Sequence, residues 1–188
     1  DAGNNSTNSY DRIDEAANAV DFAGQWNHWA FTKNATTGDM VAYLNGAVFM
    51  SGTGKTKTMG GIETFKIGGP GQNDYSGRYD GYIDEFRVWN AALDSTTIQD
   101  WMNKSIDGTH PNIANLQAAY SFDDLTGTLA IDYSANGHDA QLMGLPAWNT
   151  ESACDVNSNI LQSTNRPNIT FIQGNYTSHL DSVLVIDS

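Results

Sequence analysis

Gly81-Tyr-Ile-Asp-Glu-Phe-Arg-Val-Trp-Asn90 carries the clearest secondary-structure signal in the chain. Its period-two alternation predicts a strand, with Asp84, Phe86 and Val88 on one face and Ile83, Glu85, Arg87 and Trp89 on the other. Directly after it, Asp94 or Ser95 offers a helix N-cap, and Leu93, Ile98, Trp101 and Met102 can share one face of a two-turn helix. Upstream, Trp26-Asn-His-Trp-Ala-Phe-Thr-Lys33 alternates in the same way and predicts a strand with Trp29 and Phe31 on one face. Met40 to Phe49 reads as a hairpin with Asn45-Gly46 at its tip, because that pair accepts the two positive φ angles of a type I′ turn. Phe65-Lys-Ile-Gly68 is a short strand that runs into the turn-rich loop Gly69 to Gly77.

Beyond the helix the same grammar starts again. Leu116 to Phe122 and Ala140 to Met143 predict strands, with the turn Asp132-Tyr-Ser-Ala-Asn-Gly-His-Asp139 between them. Residues 149–165 are polar and loop-like, and Arg166 to Thr177 and Ser182 to Asp187 are two more strand candidates. Residues 14–22 carry a weak helical pattern.

The composition fits this reading. Among 188 residues, 39% are hydrophobic and 16% charged, while 19 Asn, 17 Thr, 14 Ser and 18 Gly supply turn formers. So few helix formers exclude a helix bundle, and 20 aromatic residues exclude a disordered linker. The net charge of -13 repels phosphate backbones and anionic lipid, which argues against nucleic acid and membrane surfaces as partners. Cys154 is the lone cysteine, so neither an internal disulfide nor a cysteine-based zinc site can form. No run of about 18 apolar residues exists to span a membrane. The chain opens on polar Asp1-Ala-Gly-Asn-Asn, the expectation for a processed protein or a piece of a longer one.

Several segments together resemble the laminin G-like, concanavalin A-like family of β-sandwich modules. They are Gln25-Trp-Asn-His-Trp-Ala-Phe31, Tyr43-Leu-Asn-Gly46, Phe65-Lys-Ile-Gly68 and Asp80 to Asn90 with Ala92-Leu93 after it, in the family's order. Ala119-Tyr-Ser-Phe-Asp123, Asp132 to Gly137 and His138-Asp-Ala-Gln-Leu142 resemble the opening of such a module. The resemblance implies an all-β fold, a concanavalin A-like antiparallel sandwich (jelly roll) with one short helix after the closing strand. It divides the chain into the C-terminal part of a module over 1–104, a linker over 105–115, and the opening of a second module plus trailing strands over 116–188. The alternative is that 116–148 folds back on 24–103 and supplies a missing sheet partner.

The chemistry points to binding. Some relatives by fold are glucan hydrolases, and retaining hydrolysis needs two carboxyl groups about 5–5.5 Å apart. The four glutamates, Glu15, Glu63, Glu85 and Glu151, are all far apart in sequence, so the paired-glutamate strand is absent. There is no nucleophile-elbow sequence, and the spacing in Ser51-Gly-Thr-Gly-Lys-Thr-Lys57 fails the phosphate-loop pattern. Catalysis is not expected, and His28 reads as a structural hydrogen-bonder. Calcium takes about six to eight oxygen ligands. A carboxylate directed toward a core edge must find donors or an ion, and the resemblance implies calcium binding through an aspartate at the position of Asp84. Asn73 and Asp74 in the preceding loop, and Asp132 and Asn136 if the two halves pack together, complete the expected set. Asp132 to Asp139 mimics the start of an EF-hand, but Met143 stands where the bidentate glutamate belongs. Tyr75, Tyr79, Tyr82 and Asp80 suit a sugar-binding loop, with rings to stack on pyranose faces and a carboxylate for hydroxyls. Six Asn-x-Ser/Thr sequons, at Asn4, Asn5, Asn34, Asn103, Asn168 and Asn175, modestly favour secretion.

These readings converge on a secreted or cell-surface, non-catalytic module that binds a glycan or a surface protein, with calcium as a structural ion and neighbouring domains in a longer chain. Two alternatives are an adhesive or spacer repeat without a ligand pocket and an ancillary module of a glycan-active enzyme.

Overall fold

The computed structural model describes residues 1–3, 9–59, 65–69, 79, 81–144 and 146–150, together with the backbone of 172–174 and 184–187. Its strands are β1 (His28–Asn34), β2 (Asp39–Leu44), β3 (Ala47–Gly52), β4 (Phe65–Ile67), β5 (Asp84–Trp89), β6 (Leu116–Tyr120), β7 (Leu129–Ala130), β8 (Ala140–Leu142), β9 (Ile172–Gly174) and β10 (Leu184–Asp187). One α-helix, α1 (Ser95–Trp101), follows β5. The strands build two antiparallel sheets, ordered β3-β2-β1-β10-β5-β6 and β4-β9-β8-β7. The chain is thus an all-β sandwich with a short helix after the closing strand, as the sequence predicts.

The local signals act as read. Asn45 and Gly46 take φ of 51° and 77°, the two positive angles of the tight β2–β3 turn. Asp94 accepts a 2.7 Å hydrogen bond from the Thr97 N–H and caps α1. A Cβ on Gly46 would stand 2.8 Å from Gln99 Cγ and 3.1 Å from Met102 Sδ, so glycine lets the hairpin tip touch the helix. The weak helical pattern at 14–22 shortens to a 3-10 turn at Ala19–Asp21.

The sheets run across the expected boundary at 105–115. Strand β6 lies beside β5, with Phe86 opposite Tyr120, and β10 lies between β1 and β5. This is the fold-back arrangement, with 116–148 packed onto the first half. The physical reason is burial: Leu116, Ala118, Ala119 and Tyr120 are all buried, and a lone strand could not bury both its faces. Nor is 105–115 a solvated linker. His110 is 3% exposed and its ring lies 4.4 Å from Trp89 and 4.6 Å from Trp101.

All six residues of β5 are buried, because two cores form on its two faces. Between the sheets, Phe86 and Val88 pack with Ile67, Ala118, Tyr120, Ala130 and Ala140. Toward α1, Trp89 packs with Ala30, Tyr43, Leu93, Ile98 and Leu116. Ile83 departs from its predicted face and joins Phe86 and Val88. Glu85 explains this: its φ of 50° is left-handed and breaks the alternation, so residues before and after it change phase. Arg87 then reaches Glu85 at 2.7 Å on the helix side, both side chains nearly fully buried. The guanidinium also donates to the carbonyls of Trp101 and Lys104, and Ser105 Oγ donates to Glu85 Oε1.

Removing one member of a buried ion pair strands the other charge, at about 3–5 kcal/mol. Urea unfolding of Arg87→Met is therefore expected to show a loss of that order. The double variant Glu85→Leu/Arg87→Met should lose less than Arg87→Met alone, since no charge is left behind.

Candidate functional site

The β2–β3 hairpin tip, the segment entering β1 and the C-terminal end of α1 converge around a cavity of about 310 Å³. Of its lining residues Asn27 and His28 are buried, Trp26 and Met102 half-buried, and Gln25, Asn45 and Asn103 exposed at the rim. An amide network fixes the shape. Asn45 Nδ2 donates to Asn27 Oδ1 (2.9 Å), the His28 N–H donates to Asn45 Oδ1 (2.9 Å), and Gln25 Nε2 donates to Asn27 Oδ1 (3.2 Å). Gln99 Nε2 donates to the Gly46 carbonyl (2.9 Å) and ties the helix to the hairpin. The lining side chains include no Lys, Arg, Asp or Glu. The arrangement offers amides for hydrogen bonding and an indole face for apolar contact, with no nucleophile or carboxylate pair.

The residues singled out from sequence are described only in part. Asn73, Asp74, Tyr75 and Asp80 lie outside the described residues. Tyr79 packs against the inter-sheet core rather than standing as a platform, and the missing Cβ of Gly81 makes room for its ring. Tyr82 does reach the pocket's surroundings, its ring 6.1 Å from that of Trp26. Asp84 is buried at 4% exposure and engaged within the chain.

Asp132 and Asn136 have another task. Asp132 Oδ1 accepts from the N–H groups of Ala119 and Ser134, and Oδ2 from the Ser134 hydroxyl and the His138 N–H. Asn136 Nδ2 donates to the carbonyls of Leu116 and Gln117, and His138 Nδ1 meets the Gln117 carbonyl at 2.9 Å, so that nitrogen carries its hydrogen. The 132–138 turn thereby satisfies the free edge of β6, the last strand of its sheet. A carboxylate ringed by four donors fits poorly as a ligand for calcium, which needs bare oxygens. Among the described residues, no cluster of three or more His, Cys, Asp or Glu could hold a metal ion.

The pocket's own residues were passed over because each has a local explanation in sequence. Gln25 to His28 reads as the approach to a strand, Asn45 as a turn residue, and Met102-Asn103 as a helix end. The available signal was the density of side-chain amides around Trp26.

Electrostatically the site is governed by burial. Desolvation pulls the His28 imidazole down to about 4, and the nearby Arg87 cation pushes in the same direction. His28 Nδ1 is buried with no hydrogen-bond partner among the described residues. His110 is likewise brought to about 4 by burial and then Arg87, and its Nδ1 accepts from the Asn112 N–H.

A family model described as the concanavalin A-like lectin/glucanases superfamily, of laminin G type, matches residues 2–99, just over half of the chain. No curated protein and no solved structure matches. Lectin-type domains of this kind bind carbohydrate or other ligands, are generally non-catalytic and are typically extracellular. No helix among the described residues is long and apolar enough to cross a membrane.

The two histidines set an acid limit on stability. Below about pH 6.5 the unfolded chain takes up protons on both, while the folded chain refuses them until about pH 4. Stability should be fully present above pH 6.5 and fall as pH drops from 6.5 to about 4. Melting temperatures across that range are expected to decline, and the double variant His28→Gln/His110→Gln should decline less steeply. Equal slopes would show that the imidazoles are not held neutral.

Proposed function

Because the chain belongs to the concanavalin A-like lectin/glucanases superfamily, we propose that it is a non-catalytic carbohydrate-binding module of a secreted or surface protein. The observation that carries this reading is the Trp26 pocket, where an aromatic wall meets a rim of side-chain amides. A sugar ring is amphipathic in the same way, with a C–H face for an indole and hydroxyls that both donate and accept. The sequons support the secretory part of the proposal. The test is a glycan array on the intact protein, followed by titration of any hit against Trp26→Ala. Loss of about 1.4 kcal/mol or more, a factor of ten, is expected on removing the indole. A hit list unchanged by Trp26→Ala would place the binding elsewhere.

A second reading has one observation in its favour. Leu125, Leu129, Ile131, Tyr133 and Met143 are exposed around β7, the last strand of the four-stranded sheet. An apolar sheet edge of this kind suits contact with another protein and agrees with an adhesive repeat.

Calcium belongs to the proposal through Asp84 with Asn73 and Asp74 of the preceding loop, since the Asp132 carboxylate is committed to the β6 edge. An ion bound there at a hundredfold excess over its dissociation constant would stabilise the fold by about 2.7 kcal/mol. The melting temperature is then expected to drop by several degrees in chelator, with Asp84→Ala indifferent to it. Identical melts of the natural sequence in calcium and in chelator would remove calcium from the proposal.

A further inference from the structure

Resting on the reading of the Trp26 pocket as a glycan site, we infer that its ligand is a single uncharged pyranose ring. That ring is a free monosaccharide or the terminal unit of a chain, and not an acidic sugar or the interior of a polymer.

Charge argues first. An anionic sugar is held by cations, above all by forked arginine contacts, and none of the lining side chains is cationic. Arg87, whose charge acts on His28, is 3% exposed and already bound to Glu85 and to the Trp101 and Lys104 carbonyls. Lys104 follows rim residue Asn103, but its amine lies over the Trp101 ring at 5.1 Å. The net charge of -13 repels anions further. No carboxylate lines the cavity either, so a cationic sugar gains nothing there.

Shape argues second. At about 310 Å³ the cavity sits at the small end of ligand sites, which run from about 300 to 1,000 Å³. Buried Asn27 and His28 line it together with half-buried Trp26 and Met102, and so small a volume favours one ring over several. The polar groups match one ring. Asn45 spends one oxygen contact and one N–H on its neighbours and keeps a lone pair and a second N–H. Gln25 and Asn103 add further side-chain amides at the exposed rim. A neutral hydroxyl or acetamido group satisfies such amides without the desolvation penalty of a buried charge.

Titration calorimetry on the intact protein tests this with methyl glucoside, methyl galactoside and N-acetylglucosamine, against glucuronic acid and N-acetylneuraminic acid. Any neutral sugar that binds is compared with its own tetrasaccharide. The expected result is binding of at least one neutral monosaccharide, within about tenfold of the tetrasaccharide's affinity. Acidic sugars should be silent. Trp26→Ala should weaken the interaction at least tenfold, and Asn103→Ala, an exposed rim change with an unaltered melt, by several-fold. Binding of acidic sugars alone, or a tetrasaccharide more than tenfold tighter than its monosaccharide, would overturn the inference and leave the glycan reading standing. Neutral binding indifferent to both variants would remove it from this pocket. Silence of the array and of every sugar here would sink both.

Discussion

The buried guanidinium of Arg87 is the constraint on which the functional end of the molecule depends. It sits on β5, the strand with a core on each face, and cannot be left unpaired in that environment. Glu85, two residues away on the same strand, supplies the counter-charge, and its backbone is left-handed at φ 50°, a conformation that a non-glycine residue holds when the surroundings demand it. Two further guanidinium N–H groups donate to carbonyls at the end of α1 and just beyond it. One cation thus pins the helix end to the sheet, and Met102 and Asn103, on that end, form one side of the pocket.

The same charge shapes the site's chemistry. His28 and His110 lie close enough to Arg87 for its field to add to burial, and both imidazoles are kept neutral well below their ordinary range. A pocket walled by amides and a neutral imidazole recognises by hydrogen bonding and shape. The uncharged lining and the depressed imidazole fit the recognition role proposed for the pocket.

How much of this was legible in the sequence depends on the range of the interaction. The strands around Trp29, Tyr43 and Val88, the Asn45-Gly46 turn and the Asp94 cap are local, set by alternation and by single hydrogen bonds, and they stand within a few residues of where the pattern put them. The face of Ile83 was misread because alternation assumes an unbroken strand, and nothing in Asp84-Glu85 announces a left-handed residue. The segment at 105–115 looked like a linker on its Gly, Pro and Asn content. Its role comes from His110 slotting between two tryptophans that are distant in sequence. The pocket is wholly a tertiary product, since it joins residues 25–28, 45 and 102–103. No window along the chain contains it.

The acidity of the chain has the same explanation at another scale. Eighteen aspartates invite the idea of a cation site, yet several of the described ones are spent on backbone donors. Asp21 accepts from the Asn18 N–H, Asp94 from Thr97, Asp107 from Thr109, Asp124 from Ile131 and Asp139 from Asp132. Asp11 goes further, binding Lys33 Nζ at 2.6 Å and the Lys57 N–H at 2.8 Å, which holds its carboxyl below the usual range. A sandwich of short strands has many loops, and each loop leaves N–H groups that no ladder satisfies. Aspartate is short enough to cap them from within the loop. Its abundance therefore measures how much of this chain is turn, and the charge it leaves on the surface is a by-product that then filters which ligands can approach the uncharged pocket.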